Sequence, residues 1–320
     1  MGQMVMETKI DYLSFINTIC KMVKEMLGDE YQVQIHKVTK NNSLELDSLL
    51  VLQKGRDFAP NIYLQPYYES YQEGTSIQEI AERICIIYRN NTKPKLNEEF
   101  NYSLEKMKEF IVYRLISYEK NQKLLSQIPH VKYLDLAITF QCLVRDDDEG
   151  IGTIRITNEH MKVWRTSTEE LITHAAKNTC RLLPASIRTM EDTIIGLLND
   201  EMSYSNESGE WDGVYDQLIT NSLFEDKPPM YILTNHKGIN GASCILYDNL
   251  LNNFSNQVQS DFYILPSSVH EVILLPFHKN IDRESLKKLV KDVNYTQVAP
   301  EEVLSDQVYY YSREKDAIIL

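Results

Sequence analysis

The stretch DFYILPSSVHEVILLPFHKNIDRESLKKLVKDVNYTQVAPEEVLSDQVYYY, residues 261–311, decides the fold. Phe262–Leu265 and Val269–Leu275 are β-branched, aromatic and aliphatic runs of strand length, each bounded by proline. Leu265-Pro266-Ser267-Ser268 fits a type I turn, because proline pre-sets φ at its second position. The two runs therefore predict a hairpin. Val269, Glu271, Ile273 and Leu275 fall on one face of the second strand and His270, Val272 and Leu274 on the other. Apolar residues on both faces mark a central strand, covered on both sides. Asp282 then caps a helix in which Leu286, Leu289, Val290 and Val293 recur at helical spacing, with Lys287, Lys288 and Lys291 on the polar face.

Upstream, hairpins and helices interleave. Ile10–Leu27 reads as an amphipathic helix stopped by Gly28. Tyr31–Val38, Leu46–Leu52 and Asn61–Leu64 read as strands. Tyr63, Tyr67, Tyr68 and Tyr71 cluster ahead of a capping box, Ser76 with Glu79, that opens a helix with Ile77, Ile80, Ala81, Ile84 and Ile87 inward. Residues 90–101 read as a loop, and 104–125 as helical, with an unsettled passage at 112–125. Val131–Val144 contains a strong strand, and Asp146–Glu149 reads as an acidic hairpin tip. Ser167 with Glu170 makes a second capping box. Pro184–Arg188 reads as a brief strand, Thr189 as a helix cap, and residues 203–213 as a surface loop. Met230–Thr234 is a strand, followed by the turn Asn235–Ala242 and a helix at Asp248–Val258. The order predicts an α+β protein of two lobes, 1–128 and 129–320, with mainly antiparallel sheets packed against amphipathic helices.

Composition narrows the function. The chain has 320 residues, 43% hydrophobic and 25% charged, with a net charge of −13. That charge opposes general attachment to nucleic acid or anionic lipid, which calls for lysine and arginine. No apolar run reaches the roughly eighteen residues of a membrane span. The start, MGQMVMETKIDYL, lacks the pattern of a signal peptide. Cys20, Cys85, Cys142, Cys180 and Cys244 are scattered, with no Cys-x-x-Cys pair, so a zinc ribbon or thioredoxin-type motif is excluded. A reducing cytoplasm is expected.

Chemistry-bearing residues are few. If the second hairpin strand begins at Ser268, that hydroxyl shares a face with His270, and Asp306 is the available orienting carboxylate. No nucleophile-elbow glycines flank either serine, so turn serines and a core histidine are the preferred reading. Exposed tyrosines suit binding, which makes Tyr63, Tyr67, Tyr68 and Tyr71 candidates, although packing against a sheet explains them as simply. Asn235 opens a Gly-x-x-Gly turn able to present backbone N–H groups to an anion, but without the lysine-serine of a P-loop a helix-entry turn is the preferred reading. Asp146–Glu149, or Glu301, Glu302 and Asp306, supply oxygen ligands for a metal, but solvated acidic turns are preferred. His174 lacks a histidine partner one turn away.

Several segments carry a resemblance: YRLISYEKNQKLL (113–125), PHVKYLDLAITFQCLV (129–144), RLLPASIRTMEDTI (181–194), YILTNHKGINGASCILY (231–247), DFYILPSSVHEVILLP (261–276) and APEEVLSDQVYYY (299–311). The chain resembles a bacterial family known as a domain of unknown function, and more distantly the YtpQ-like uncharacterised proteins. The resemblance implies a self-standing cytoplasmic bacterial protein and carries no catalytic residues with it. The leading expectation is a non-catalytic binding or interaction protein with a protein or small-molecule partner, no cofactor, no membrane and no nucleic acid. The alternatives are a hydrolase or transferase using Ser268 and His270, and a carboxylate metal-binding protein. Whether the chain is an enzyme stays open at this point.

Overall fold

Asp11 starts the first helix: its carboxylate accepts from the Ser14 N–H at 2.8 Å, and Gly28, at φ 90°, ends the helix by donating to the Lys24 carbonyl at 3.0 Å. The computed structural model describes residues 9–54, 61–91, 103–147, 150–193 and 229–320. Its contacts divide the chain into two units, 1–101 and 102–320. The boundary expected after residue 128 falls inside the second unit.

The first unit runs α1 (Tyr12–Leu27), β1 (Tyr31–Thr39), β2 (Glu45–Gln53), β3 (Asn61–Tyr63), α2 (Gln65–Gln72) and α3 (Ile77–Asn91). The strands form an antiparallel sheet in the order β1-β2-β3. Phe15, Ile16, Ile19 and Val23 recur at helical spacing on α1. They share one core with Val33, Leu49 and Val51 from the sheet and Ile80, Ile84 and Tyr88 from α3. Ile87, expected inward, is 39% exposed.

The second unit opens with α4 (Leu104–Met107), β4 (Ile111–Ser117), α5 (Gln122–Leu125), β5 (His130–Tyr133), β6 (Leu136–Asp147) and β7 (Gly150–Arg155). Next come α6 (Asn158–Trp164), α7 (Thr168–Leu182), β8 (Ala185–Thr189), β9 (Tyr231–Asn235) and a 3₁₀ segment at Gly241–Leu246. It closes with α8 (Leu250–Val258), β10 (Phe262–Leu265), β11 (Val272–Pro276), α9 (Arg283–Thr296), β12 (Tyr309–Ser312) and β13 (Ala317–Ile319). The described strands make two further sheets. One has six strands in the order β13-β12-β10-β11-β9-β8; in the other, β6 pairs β4 along one edge and β5 and β7 along the other. All of these pairings are antiparallel. The fold is α+β, in two regions, as the element order implied.

Helix α7 closes the outer edge of β4. The Thr179 hydroxyl accepts from the Tyr113 N–H at 3.1 Å, and the Asn178 amide donates to the Ile111 carbonyl at 3.1 Å. Covering an edge in this way removes a template for unwanted strand pairing. Ile111, Tyr113 and Leu115 on β4, with Leu136, Ile138 and Phe140 on β6, form one buried face.

Three expectations need correction. Residues 104–125 are mainly not helical, because Ile111–Ser117 is a strand buried on both faces, and such a run has no periodicity to separate it from a helix. The second hairpin strand begins at Val272 rather than Val269. Residues 266–271 form a loop, so the strand alternation does not govern His270 and Glu271. Helix α9 meets its sheet through Val290, whereas Leu289 and Val293 are 54% and 37% exposed. Strand β11 does lie inside the sheet, between β10 and β9. Of the helix expected after Thr189, residues 190–193 are helical; the rest of it, and the loop expected at 203–213, lie outside the described residues.

Candidate functional site

Three connections converge around His270. The β10–β11 loop is held on itself: Ser268 N–H donates to the Glu271 carbonyl at 3.2 Å, and His270 N–H donates to Ser268 Oγ at 3.0 Å. The segment before α8 docks on it. Ala242 N–H donates to the Val269 carbonyl at 3.3 Å, and Thr234 Oγ1 donates to the His270 carbonyl at 2.8 Å. The segment after α9 docks as well, with Val269 N–H donating to the Glu302 carbonyl at 2.8 Å.

The imidazole itself is fixed from two sides. Nδ1 accepts from the Asn240 N–H at 3.2 Å, and Nε2 lies 3.5 Å from Glu302 Oε1. A ring nitrogen that accepts cannot carry a proton, so this bond assigns the proton to Nε2, toward the carboxylate. Asn235 builds the turn that delivers Asn240. Its Oδ1 accepts from the Lys237 N–H at 3.0 Å, and its Nδ2 donates to the Ile239 carbonyl at 2.8 Å.

Glu302 leads to the sheet. Its charge acts on the guanidinium of Arg114, on β4. Cross-strand register places Arg114 beside Thr139 and Thr139 beside His130; one row along, Val112 lies beside Gln141 and Gln141 beside Arg155. Side chains two apart on a strand share a face, so Arg114, Thr139, His130, Gln141 and Arg155 form one polar field. Thr139 and Gln141 are buried. The same face turns apolar at Ile116 and Ala137, which join Leu125 and Ile128 in a small core.

Arg114 is the anomaly of that field. Its Nε is buried and has no hydrogen-bond partner among the described residues. Burial, and then the neighbouring positive charge of Arg155, push its pKa down to about 10, while Glu302 pulls it up. Burying a polar donor without an acceptor costs about 1–3 kcal/mol, and more when the group is charged. Such groups are rare in native proteins, and functional sites are one of the places where they persist.

The residues singled out in the sequence fare differently. Ser268 and His270 are close, but the Ser268 hydroxyl accepts from the His270 main chain while the ring faces Asn240 and Glu302. Asp306 is elsewhere: it accepts from Asn294 Nδ2 at 2.8 Å and lies 3.6 Å from Lys120 Nζ. The tyrosines pack within the first unit. Tyr67, Tyr68 and Tyr71 are half-buried against its core, with Tyr68 and Tyr71 rings 5.2 and 5.3 Å from Phe15. Tyr68 also donates to the Ile10 carbonyl at 3.3 Å, Tyr71 accepts from the Ile10 N–H at 3.0 Å, and Lys40 lies 4.2 Å over the Tyr63 ring. Among the described residues no group of three or more His, Cys, Asp or Glu is placed to hold a metal ion. Asp148 and Glu149 lie outside the described residues.

Sequence reasoning missed Arg114 and Arg155. Arg114 had a signal: it is the lone charge in the apolar run IVYRLIS, residues 111–117. Arg155 had none, because only the register of β7 on β6 brings it to the same face.

Fold and site together define an α+β protein of antiparallel sheets whose second unit holds a half-buried cationic field beside an ordered histidine–carboxylate pair. The chain belongs to a family of unknown function, DUF5688, which it matches over residues 12–313. No curated protein and no solved structure matches it.

Proposed function

We propose that the chain is a non-catalytic binding protein whose ligand seat is the polar face of the four-stranded sheet around Arg114, walled by Glu302 and His270. The observation that carries this reading is the buried Arg114 Nε with no acceptor. A buried guanidinium donor without an acceptor carries an energetic cost that a ligand supplying the acceptor would relieve. Support against general base catalysis comes from His270, whose accepting nitrogen is already filled by Asn240. Support against nucleophilic catalysis comes from Ser268, whose hydroxyl is engaged by the main chain.

A cytoplasmic location belongs to the same proposal. Its support is five free cysteines spread through both units. Among the described residues no helix is long and apolar enough to cross a membrane.

Native mass spectrometry of protein purified at low salt tests the reading. A small-molecule adduct is expected on the wild type and is lost in Arg114→Met. An adduct retained undiminished by Arg114→Met would remove the sheet face as its seat.

A further inference from the structure

The chemistry of the cationic field specifies what it binds. This step rests on the binding reading above and goes on to the class of ligand. Guanidinium nitrogens are donors only, so Arg114 Nε requires an acceptor. The adjacent Nε and Nη donors of an arginine match two oxygens of a planar or tetrahedral oxyanion side-on. A second guanidinium, Arg155, is close enough for its charge to act on the first. Two like charges at one place are stabilised by an anion and not by a neutral acceptor.

Among the described residues, Glu302 is the carboxylate whose charge acts on Arg114. It sits on the loop after α9, with its side chain 44% exposed, and is already shared with His270 at 3.5 Å. Its charge acts on Arg114, yet Arg114 Nε has no hydrogen-bond partner among the described residues. A ligand oxyanion that enters the field therefore meets the attraction of Arg114 and Arg155 and the repulsion of Glu302.

We propose that Arg114 and Arg155 form an oxyanion seat for a carboxylate- or phosphate-bearing small molecule, and that Glu302 is the built-in counter-ion with which this ligand competes. The two sources share their chemistry, three or fewer negatively charged oxygens presented to a guanidinium fork. They differ in shape and charge, which the test separates.

Isothermal titration at constant ionic strength, with inorganic phosphate and separately with succinate, tests the proposal on the full chain. Saturable binding of at least one probe is expected. Glu302→Gln removes the competing charge while keeping the main-chain carbonyl that holds Val269, and is expected to tighten binding about three- to tenfold. Arg155→Gln, at an exposed position, is expected to weaken it roughly tenfold. Preference for phosphate over succinate, or the reverse, names the source. Failure of both probes to saturate would overturn the oxyanion assignment, as would equal affinities for wild type and Glu302→Gln. The broader reading would survive that failure if a neutral adduct, sensitive to Arg114→Met, appears by native mass spectrometry, and would fall with it if no adduct appears.

Discussion

Gly241→Ala is expected to lower the melting midpoint by roughly 6–10 °C. A Cβ at this position would lie 2.2 Å from Thr234 Oγ1, 2.4 Å from the His270 carbonyl oxygen and 2.8 Å from the Asn235 nitrogen. Two of the three are main-chain atoms of a stitched loop, so rotation of one flexible side chain does not relieve the overlap. Forcing a methyl group into a well-packed interior costs about 1–3 kcal/mol and sometimes more. Here the upper end applies, because the displaced carbonyl also accepts from Thr234 Oγ1. At about 2–4 °C per kcal/mol for a unit of this size, the shift follows. The disturbance is also expected to be local. Asn240 is the preceding residue, and its N–H holds His270 Nδ1, so amide hydrogen exchange should accelerate at Asn240 and Ala242 before the rest of the sheet. A midpoint within about one degree of wild type would mean that Gly241 is not against the His270 loop.

Asp135→Ala is expected to cost about 3–4 kcal/mol. Asp135 stands between β5 and β6, and its two carboxylate oxygens accept from Ser305 Oγ at 2.6 Å and from the Tyr309 hydroxyl at 2.7 Å. Tyr309 is fully buried on β12, so this carboxylate joins the four-stranded sheet to the six-stranded one. Burial, and then the Asp135 charge, push the Tyr309 pKa far up, so the phenol stays protonated and donates. Hydrogen bonds to a charged acceptor contribute about 1.5–3 kcal/mol each, and removing the acceptor strands a buried donor. Asp135→Asn keeps one oxygen in place and should recover part of the loss. Urea denaturation reads both variants, as a lower midpoint with the slope unchanged. If alanine costs less than about 1 kcal/mol, the two hydrogen bonds at residue 135 do not hold the sheets together.

The fold was legible where local signals agreed. Helix α1 combined a 3.6-residue apolar period, an aspartate cap and a glycine stop, and it forms at Tyr12–Leu27. The capping box at Ser167 and Glu170 has both reciprocal hydrogen bonds. Reading failed where tertiary context overrode local pattern. Strand β4 is buried on both faces, and its edge is satisfied by α7 rather than by another strand, so residues 112–125 could be read as a strand end or as a helix start. The segment 268–271 has strand composition, but its donors and acceptors are taken within the loop and by two connections far apart in sequence, and it stays a loop. Helix α9 has the amphipathic pattern of a core helix, yet it buries mainly Val290 and leaves Leu289 in solvent.

The site was half legible. Asn235 and His270 were identifiable as chemistry-bearing residues, and the structure brings their loops together through Asn240. Their roles were not identifiable, because a hydrogen bond from the main chain to an imidazole leaves no trace in side-chain spacing. Arg114 could be noticed as a charge out of place in a buried strand. That its Nε lacks an acceptor depends on the register of β4 against β6 and on the position of Glu302, both set by pairings about 25 or more residues away along the chain.

The thermal midpoint of Arg114→Met in ligand-free, dialysed protein is the decisive quantity. Methionine fills much of the same volume and removes a buried, partly unsatisfied charge. Such replacements are commonly neutral or stabilising by about 1–4 kcal/mol. If Arg114 is held for a ligand, the variant melts higher than wild type, by roughly 3–6 °C for a gain of 1–2 kcal/mol, while losing its adduct. If Arg114 instead holds the sheet to the Glu302 loop as a structural ion pair, the variant melts lower by several degrees, and the binding seat proposed on this face is wrong.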